Sequence, residues 1–326
     1  LHKEYRRQRQ MCIRDRLKLI NWSKGVSGVR LKLVQLLKEL LNHDILPVIP
    51  RQGSVGASGD LAPLAHMALP LIGEGLVNFQ ERIMPAMLAM KEVGLDPIIL
   101  EPKEGLSLIN GTQVSTAIAI KACLEAENIL KVADLSGALS VEASLSSRSV
   151  FKSDIHKLKN HPGQRIVASN IWNLLNKSEI VSSHKNCDRM QDPYSFRCIP
   201  QVHGICRENY KCVKNIVENE ANSVSDNPII MPNGKVLNSG HFHAESIAQA
   251  MDNLAIAIAE IGSIAERRIH YFMKGISDNV PSFIASNPGL ESGFMTAHVT
   301  AASLVSENKV LTHPASVDSI STSGGQ

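Results

Sequence analysis

The sequence predicts a mainly α-helical fold built as a bundle of long helices, and three observations predict it. First, residues 112–146 contain no proline and a single glycine, Gly137, so one helix can run through them. Second, residues 244–273 carry an apolar stripe at three- and four-residue spacing, which suits burial against other long helices. Third, strand patterns are few and do not alternate with helices, so a doubly wound α/β sheet is excluded.

The region before these helices is more broken. Apolar residues at helical spacing from Val29 to Leu41 predict an amphipathic helix that ends near Asp44. Residues 45–50 contain two prolines and are predicted to form a connector. Residues 61–79 are predicted to form a helix that Pro63 and Pro70 interrupt.

The clearest strand signal is a short β-hairpin near 229–237. The turn Pro232-Asn-Gly234 lies between two apolar runs, and Asn-Gly is a strong hairpin signal. The hairpin completes the predicted fold class, which is a long-helix bundle with this one small β element.

Domain organisation is predicted to be simple. Residues 1–16 form a basic arm without an amphipathic period, and we expect this arm to be disordered or of foreign origin. Residues 17–326 are expected to form one helical domain. Because the chain opens on Leu1 and stops abruptly at Gln326, we expect the domain to be incomplete at both ends.

Composition excludes several functional classes. The 326 residues are 44% hydrophobic and 20% charged, which is typical of a globular protein. A net charge of +3 and 4% aromatic residues do not favour a nucleic-acid partner. No uncharged apolar run approaches the ~18 residues of a membrane span, and no signal peptide is recognisable. None of the six cysteines forms a CxxC pair, so we expect reduced thiols in the cytoplasm.

The glycine-rich loop Gly53–Gly59 permits three interpretations. Phosphate binding is disfavoured, because no Gly-Lys-Ser/Thr follows and no strand pattern precedes it. A flexible turn is the ordinary alternative. The third interpretation is chemical: in a tightly bent backbone the Gly59 amide nitrogen can attack the Ala57 carbonyl. Loss of one water closes a five-membered ring, and loss of a second from Ser58 leaves an electrophilic methylidene-imidazolone.

The loop and its surroundings carry a family resemblance. Gly53–His66 resembles the prosthetic-group segment of the aromatic amino acid ammonia-lyases and, within them, that of the histidine ammonia-lyase branch. Five further segments resemble the family in the same order: Asn110–Gln113, Gln191–Arg197, Asn222–Pro228, Gly240–Glu245 and Ala315–Ile320. The resemblance covers roughly residues 17–326.

The resemblance implies a fold, a reaction and a prosthetic group. The fold is the ammonia-lyase/fumarase-like helical bundle. The reaction is the non-oxidative deamination of L-histidine to urocanate and ammonia. The prosthetic group is 4-methylidene-imidazol-5-one, formed autocatalytically from Ala57, Ser58 and Gly59, with no metal and no nucleotide. The resemblance also implies a homotetramer, and composition adds the expectation of a cytoplasmic protein that binds neither nucleic acid nor membrane.

Site residues follow from the same resemblance. Asn110 is expected to hydrogen-bond near the prosthetic group and the substrate, although its position also suits a helix N-cap. Arg197 is expected to pair with the substrate α-carboxylate, which a guanidinium can bind through two parallel hydrogen bonds. Tyr194 and Gln191 would hold the prosthetic group and the amine, and at three-residue spacing they would share a helical face with Arg197.

Two further residues belong to this set. Asn227 is expected to lie near the imidazolone, and its place before Pro228 equally suits ordinary turn chemistry. Phe242 is expected to pack against the electrophile and exclude water, although an aromatic residue is more often part of a core.

The family pattern also includes groups that this sequence does not contain. The catalytic base is a tyrosine upstream of the first matching segment, and Tyr5 lies in the anomalous arm and is not assigned to that role. The histidine and the glutamate that contact the imidazole fall before and after the present sequence. We therefore expect this chain to be a catalytically feeble or inactive fragment.

Three alternatives stay open from the sequence. A phenylalanine or tyrosine ammonia-lyase, or an aminomutase, would use the same electrophile. A non-catalytic helical scaffold would keep the fold with an unmodified loop. A metallohydrolase built on His241 and His243 is disfavoured, because no further cluster has metal-ligand spacing.

Overall fold

Where the structure describes the chain, it folds into helices and two small antiparallel sheets. The computed structural model describes residues 2–50, 52–183, 189–318 and 320, with side chains from Cys12 onward. Within these ranges the helices are α1 (His2–Ser23), α2 (Leu31–Asn42), α3 (Leu61–Ala68), α4 (Ala86–Glu92), α5 (Glu104–Ile109), α6 (Gln113–Ala143), α7 (Ser153–Lys157), α8 (Pro162–Leu174), α9 (Glu179–Ser183), α10 (Tyr194–Arg197), α11 (Ile199–Ala221), α12 (Glu245–Met273) and α13 (Met295–Leu311). The strands are β1 (Leu46–Pro47), β2 (Leu76–Phe79), β3 (Arg82–Pro85), β4 (Ile229–Ile230) and β5 (Val236–Leu237).

The predicted long helices and hairpin are confirmed. Helix α6 has 31 residues and α12 has 29, and both lie where unbroken helical periodicity predicts them. Strands β4 and β5 pair antiparallel on either side of the Asn-Gly turn, with Ile229 opposite Leu237. The mainly helical fold class is therefore correct.

The helix predicted over residues 61–79 is wrong in its second half. Helix α3 ends at Ala68, and Gly73 and Gly75, both at positive φ, turn the chain into strand β2. Strands β1, β2 and β3 form an antiparallel sheet, so the connector over 45–50 also contributes a strand. Strand β2 has only four residues, of which Val77 and Phe79 are buried. So short an alternation of apolar and polar residues, with prolines nearby, does not identify a strand from the sequence.

The basic arm also differs from its expectation, because α1 begins at His2 and its backbone is helical. Arg14 and Asp15 are each 3% exposed, and the Arg14 Nε donates a hydrogen bond of 2.7 Å to the Asp15 carboxylate. A helix that buries an ion pair has no simple apolar stripe, which explains why periodicity missed it. The foreign origin of residues 1–16 and the boundary at residue 17 stay predictions.

The described residues divide into two compact units. Unit 1 comprises the described residues of Leu1–Ala122, Lys214–Ala250 and Ser316–Gln326, and unit 2 those of Cys123–Val213 and Met251–Ala315. The unit 1 core packs α2, α3 and α4 against β2, and includes Leu33, Leu37, Leu64, Met67, Val77 and Met90. Unit 2 has a core around Val141, Phe151, Val167, Ile171, Phe196 and Ile199 and a second cluster of Leu130, Ala133, Cys206, Ala257 and Ile261.

Helix α12 is apolar for its length. Among the described residues it alone is long and apolar enough to cross a membrane, judged by length and a mean hydropathy of 1.2. Its residues Ala257 and Ile261 are buried in a core cluster of unit 2. The helix therefore has the composition of a core helix in a bundle.

Candidate functional site

The glycine-rich loop is a tight, hydrogen-bonded turn. Residues Gly56–Ser58 form one turn of 3-10 helix. The Ser58 amide donates to the Val55 carbonyl at 2.9 Å, and the Gly59 amide donates to the Gly56 carbonyl at 3.3 Å. Ala57 and Ser58 are exposed, whereas Gly59 is buried. The loop therefore offers the Ala57 and Ser58 side chains at the surface while its far end is fixed.

Gly59 occupies a position that favours glycine strongly. Its φ of 81° and ψ of 179° belong to a region that L residues avoid. A Cβ on Gly59 would lie 3.1 Å from the Gly111 carbonyl oxygen and 3.2 Å from the Phe242 carbonyl oxygen. The backbone of these two residues thus forms a cradle around Gly59. On the other side of the turn, the Ala244 amide donates to the Gly56 carbonyl at 2.9 Å.

Asp60 ties this loop to the start of α6. Its carboxylate is fully buried and accepts hydrogen bonds from the amides of Val114 and Ser115, each at 2.8 Å. It also accepts from the hydroxyls of Ser115 at 2.6 Å and Ser54 at 2.5 Å. A carboxylate in this position satisfies amides of the first helical turn and suits the positive end of the helix dipole. The Asp60 amide donates to Gly111 at 2.8 Å.

Asn110 lies at the end of α5, and the N-cap interpretation is wrong. It is the C-cap residue of α5, and its amide donates to the Leu106 carbonyl at 2.9 Å. Asn110 is 7% exposed, and its Oδ1 has no hydrogen-bond partner among the described residues. A buried acceptor without a partner is costly, so this oxygen is available to a ligand that brings an N–H or O–H donor.

A lysine that the sequence pattern did not predict contacts the backbone of Asn110. Lys18 on α1 is fully buried, and its Nζ donates to the carbonyl oxygens of Ser107 and Asn110, both at 3.0 Å. Burial lowers the pKa of Lys18 to about 7. The only sequence signal was a lysine inside an otherwise apolar stretch next to the basic arm.

Asn227 and Phe242 lie in the same unit as the loop. The Asn227 Oδ1 accepts a hydrogen bond of 2.7 Å from the Ser239 amide, so part of its side chain serves the local turn. Its amide donates to the Asp226 Oδ1 at 2.7 Å. Phe242 is half-buried, and its carbonyl oxygen belongs to the Gly59 cradle. The predicted contacts of both side chains with a prosthetic group stay predictions.

The three predicted site residues Gln191, Tyr194 and Arg197 belong to unit 2. Tyr194 and Arg197 lie on the single helical turn α10, but Gln191 precedes this turn in an extended segment, so the shared face holds for two of the three. The Arg197 Cζ lies 4.6 Å from the centre of the Tyr194 ring, in a cation–π arrangement. Arg197 Nε is buried and has no hydrogen-bond partner among the described residues.

The predicted site residues therefore fall into two groups. Unit 1 holds Ala57, Ser58, Gly59, Asn110, Asn227 and Phe242, and unit 2 holds Gln191, Tyr194 and Arg197. Within unit 1, hydrogen bonds and close approaches connect the loop, Gly111 and Phe242 directly.

The histidine pair is engaged in local hydrogen bonds. The His241 Nδ1 is hydrogen-bonded to the Ser239 hydroxyl, and the His243 Nδ1 accepts from the Glu245 amide at 3.2 Å. Across the described ranges, no three His, Cys, Asp or Glu side chains are grouped so as to hold a metal ion. This geometry does not support the metallohydrolase alternative.

A comparison with models of protein families shows to which family the chain belongs. The model of the aromatic amino acid lyases matches residues 11–326. This chain belongs to the aromatic amino acid lyase family. The resemblance found in the sequence and the predicted fold class are thereby confirmed.

Relatives of this lyase chain point to one branch. Histidine ammonia-lyase of Vibrio cholerae is 50% identical over 312 residues, which are 95% of this chain and 61% of the relative. That of Myxococcus xanthus is 48% identical over 305 residues, or 93% of this chain and 60% of the relative. The chain thus spans about three fifths of the length of these relatives.

Solved structures of the family agree on the fold. Histidine ammonia-lyase from Trypanosoma cruzi has a TM-score of 0.88 at 43% identity, covering 97% of this chain and 60% of that chain. Phenylalanine aminomutase from Pantoea agglomerans has a TM-score of 0.90 at 32% identity, covering 97% and 65%. Because the scores are nearly equal, the lyase fold alone does not distinguish these reactions, whereas sequence identity favours the histidine branch.

The residues of this lyase chain fit the prosthetic group that the resemblance implies. A ring formed from Ala57, Ser58 and Gly59 needs a tightly bent backbone and a residue without a Cβ at its third position. The 3-10 turn and the Gly59 cradle meet both requirements. In the same unit, Asn110 adds a buried acceptor that has no partner within the described part of the chain.

Proposed function

We propose that this chain carries the segment of a histidine ammonia-lyase that forms the electrophile, in an enzyme that converts L-histidine to urocanate and ammonia. One observation carries the proposal: the Ala57-Ser58-Gly59 turn, whose last glycine is enclosed by backbone carbonyls at distances that crowd any Cβ. Identities of about 50% to proteins named histidine ammonia-lyase support the substrate.

The prosthetic group would be a 4-methylidene-imidazol-5-one made from Ala57, Ser58 and Gly59. When formed, it supplies an electrophile that no unmodified side chain provides. The backbones of Gly111 and Phe242 would hold it from one side, and Asp60 would fix the loop against α6. The chemistry needs neither a metal nor a nucleotide.

Unit 2 would contribute recognition of the amino acid. Arg197 would bind the substrate α-carboxylate, because its guanidinium is permanently charged and its Nε lacks a partner within the described chain. The Tyr194 ring under the guanidinium restricts its orientation. Gln191, which is exposed, would assist in holding the amine.

In unit 1, two asparagines and a phenylalanine would act beside the loop. The Asn110 Oδ1 would accept a hydrogen bond from the amine or from a group near the electrophile, which removes the cost of its present burial. Asn227 would lie close to the same group, held by Ser239. The Phe242 side chain would exclude water from the reacting atoms.

We also propose that the chain assembles as a cytoplasmic homotetramer. Helix α13 has 17 residues and none of them is buried, and it exposes Val299, Leu304, Val310 and Leu311. Apolar side chains exposed in such number suit contact with further copies of the chain. The cysteines that the structure describes form no disulfide, which fits a reducing compartment. Light scattering on the purified chain tests the tetramer.

The deciding experiment is peptide mass spectrometry across residues 52–66 of the purified chain. We expect a deficit of two waters at Ala57–Gly59, and no two-water deficit in the Ser58→Ala variant, which lacks the hydroxyl that the second dehydration removes. An unmodified peptide in the unsubstituted chain would contradict the proposal and favour a non-catalytic scaffold.

A second measurement tests the substrate. Urocanate formation from L-histidine is compared with cinnamate formation from L-phenylalanine by the same preparation. We expect urocanate to exceed cinnamate. A preference for cinnamate, or conversion of an α- to a β-amino acid, would replace histidine with the phenylalanine ammonia-lyase or aminomutase alternative.

A further inference from the structure

Lys18 is a buried lysine for which the proposed chemistry has no role. It lies on α1, is fully buried, and directs its Nζ at the end of α5, about 90 residues further along the chain. Both of its acceptors are backbone carbonyls: those of Ser107 and of Asn110 itself, at 3.0 Å each. A side chain on one helix thus directly holds the residue whose amide oxygen lacks a partner among the described residues.

The contacts of Lys18 continue to the second asparagine of unit 1. The Ser107 hydroxyl accepts from the Lys103 Nζ at 2.7 Å, and the same Nζ donates to the Asp226 carboxylate at 3.1 and 3.2 Å. Asp226 is fully buried and accepts the Asn227 amide at 2.7 Å. Lys18 therefore contacts the backbone of Asn110 directly. Through Ser107, the same hydrogen-bond network reaches the backbone of Asn227.

The position of Lys18 suits a helix end. The last carbonyls of a helix lack partners within the helix, and a cation near them is favoured by the helix dipole. Lys18 supplies both the donors and the charge. With its two carbonyls bonded, the turn that carries the Asn110 side chain has less freedom to rotate.

This arrangement is not an efficient source of stability. Desolvation is the main cause of the lowered pKa of Lys18, and Lys103 lowers it further while Asp226 and Asp60 raise it. A buried ammonium costs free energy that an apolar side chain of similar size would not cost. This cost is understandable if the role of Lys18 is to position other residues.

We propose that Lys18 is a positioning residue of the ammonia-lyase site, which fixes the Asn110 backbone so that the free Oδ1 meets its ligand in one orientation. The inference rests on the proposed function for the reaction, but the geometry it describes is independent of catalysis. It can therefore be tested separately.

The first test needs no activity. Lys18→Met removes the donors and keeps a similar apolar stem, and Lys24→Met, at an exposed lysine shortly after α1, is the matched control. Hydrogen exchange is followed by mass spectrometry on the peptide covering residues 104–113. We expect exchange to rise about tenfold in Lys18→Met, as the loss of one charge-assisted hydrogen bond allows. Equal exchange in both variants would overturn the proposal, whether or not the chain forms the prosthetic group.

The second test asks whether Lys18 acts through Asn110. At whatever activity the unsubstituted chain retains, we expect Lys18→Met to lower kcat/KM for L-histidine about tenfold, with Lys24→Met unchanged. In an Asn110→Ala background the same substitution should change kcat/KM less than about twofold, since coupled residues are not additive. Equal losses in both backgrounds would contradict the proposal, because they would mean a general structural defect.

A third variant covers failure to fold. Lys18→Arg retains a cationic donor and should keep exchange within about twofold of the unsubstituted chain. If Lys18→Arg folds but its residues 104–113 exchange as fast as those of Lys18→Met, the proposal is wrong. If residues 52–66 show no two-water deficit but Lys18→Met still loosens residues 104–113, the proposed function fails and the positioning of Asn110 stands.

Discussion

The loop around Ser58 and the segment from Gln191 to Arg197 are held in place by different means. In the loop, backbone hydrogen bonds, the buried Asp60 carboxylate and the Gly59 cradle fix the main chain. In the second segment Gln191 is exposed, Tyr194 is 71% exposed, and the Arg197 Nε has no hydrogen-bond partner among the described residues.

Under the proposed function, the difference follows from what each region would have to do. A loop that closes a ring within its own backbone must bring two of its atoms together before any substrate arrives, so its conformation has to be fixed by the fold. A segment that binds a carboxylate needs donors that are still free when the ligand arrives. Rigidity and unsatisfied donors are therefore separate requirements, met in separate units of the chain.

The largest effect is expected at Asp60. Asp60→Ala leaves two amides of α6 and the hydroxyls of Ser54 and Ser115 without their acceptor, so we expect the free energy of unfolding to fall by about 3–5 kcal/mol. Urea denaturation measures it, and Asp96→Ala, at an exposed aspartate of the same unit, is the control. A loss below about 1 kcal/mol would mean that the loop is not anchored through Asp60.

A somewhat smaller effect is expected at Gly59. Gly94→Ala is a matched control, because Gly94 also has a positive φ, of 72°, but a Cβ there would meet no atom within 4 Å. We expect Gly94→Ala to cost about 1 kcal/mol for backbone strain and Gly59→Ala about 2 kcal/mol more, since its Cβ meets two carbonyl oxygens. Gly59→Ala should also abolish the two-water deficit. Equal losses of stability in Gly59→Ala and Gly94→Ala would contradict the crowding of Gly59 by the two carbonyl oxygens.

The ion pair between Glu104 and Arg30 at the start of α5 predicts how the free energy of unfolding depends on pH. The Arg30 guanidinium holds the pKa of Glu104 at about 2, below its ordinary value of 4.5, with help from the amides of Glu101 and Arg30. This contribution, at most about 3 kcal/mol, is complete above pH 4.5 and is lost as the pH falls through about 2.

Acid denaturation of Glu104→Gln tests this sign. Its stability should fall less steeply than that of the unsubstituted chain over the same pH range, while Glu92→Gln, at an exposed glutamate, should follow the unsubstituted chain. Parallel curves for Glu104→Gln and the unsubstituted chain would show that α5 is not anchored by this ion pair.

The smallest effect on stability is expected at Arg197. Arg197→Ala removes a cation–π contact and little else, so the free energy of unfolding should fall by less than about 1 kcal/mol. Binding of L-histidine, measured by calorimetry, should nevertheless weaken by about tenfold or more. Arg165→Ala, at an exposed arginine of unit 2, should change neither quantity. A large loss of stability in Arg197→Ala would contradict the difference between the loop around Ser58 and the segment from Gln191 to Arg197.

Several features follow from local sequence alone. Helices α6 and α12 are long enough for periodicity and the absence of proline to decide them, and the Asn-Gly turn decides the β4–β5 hairpin. The Ala57-Ser58-Gly59 motif and its neighbours likewise identify the family, since a long run of matching residues does not depend on knowing their contacts.

The tertiary structure decided the rest. The β1–β3 sheet pairs strands about 30 residues apart, and the Asn110 carbonyl at the end of α5 accepts a hydrogen bond from a lysine about 90 residues earlier. Likewise, the capping of α6 by Asp60 crosses more than 50 residues. None of these polar residues shows its burial in the sequence, because a buried charge is stable only beside partners that the fold brings to it.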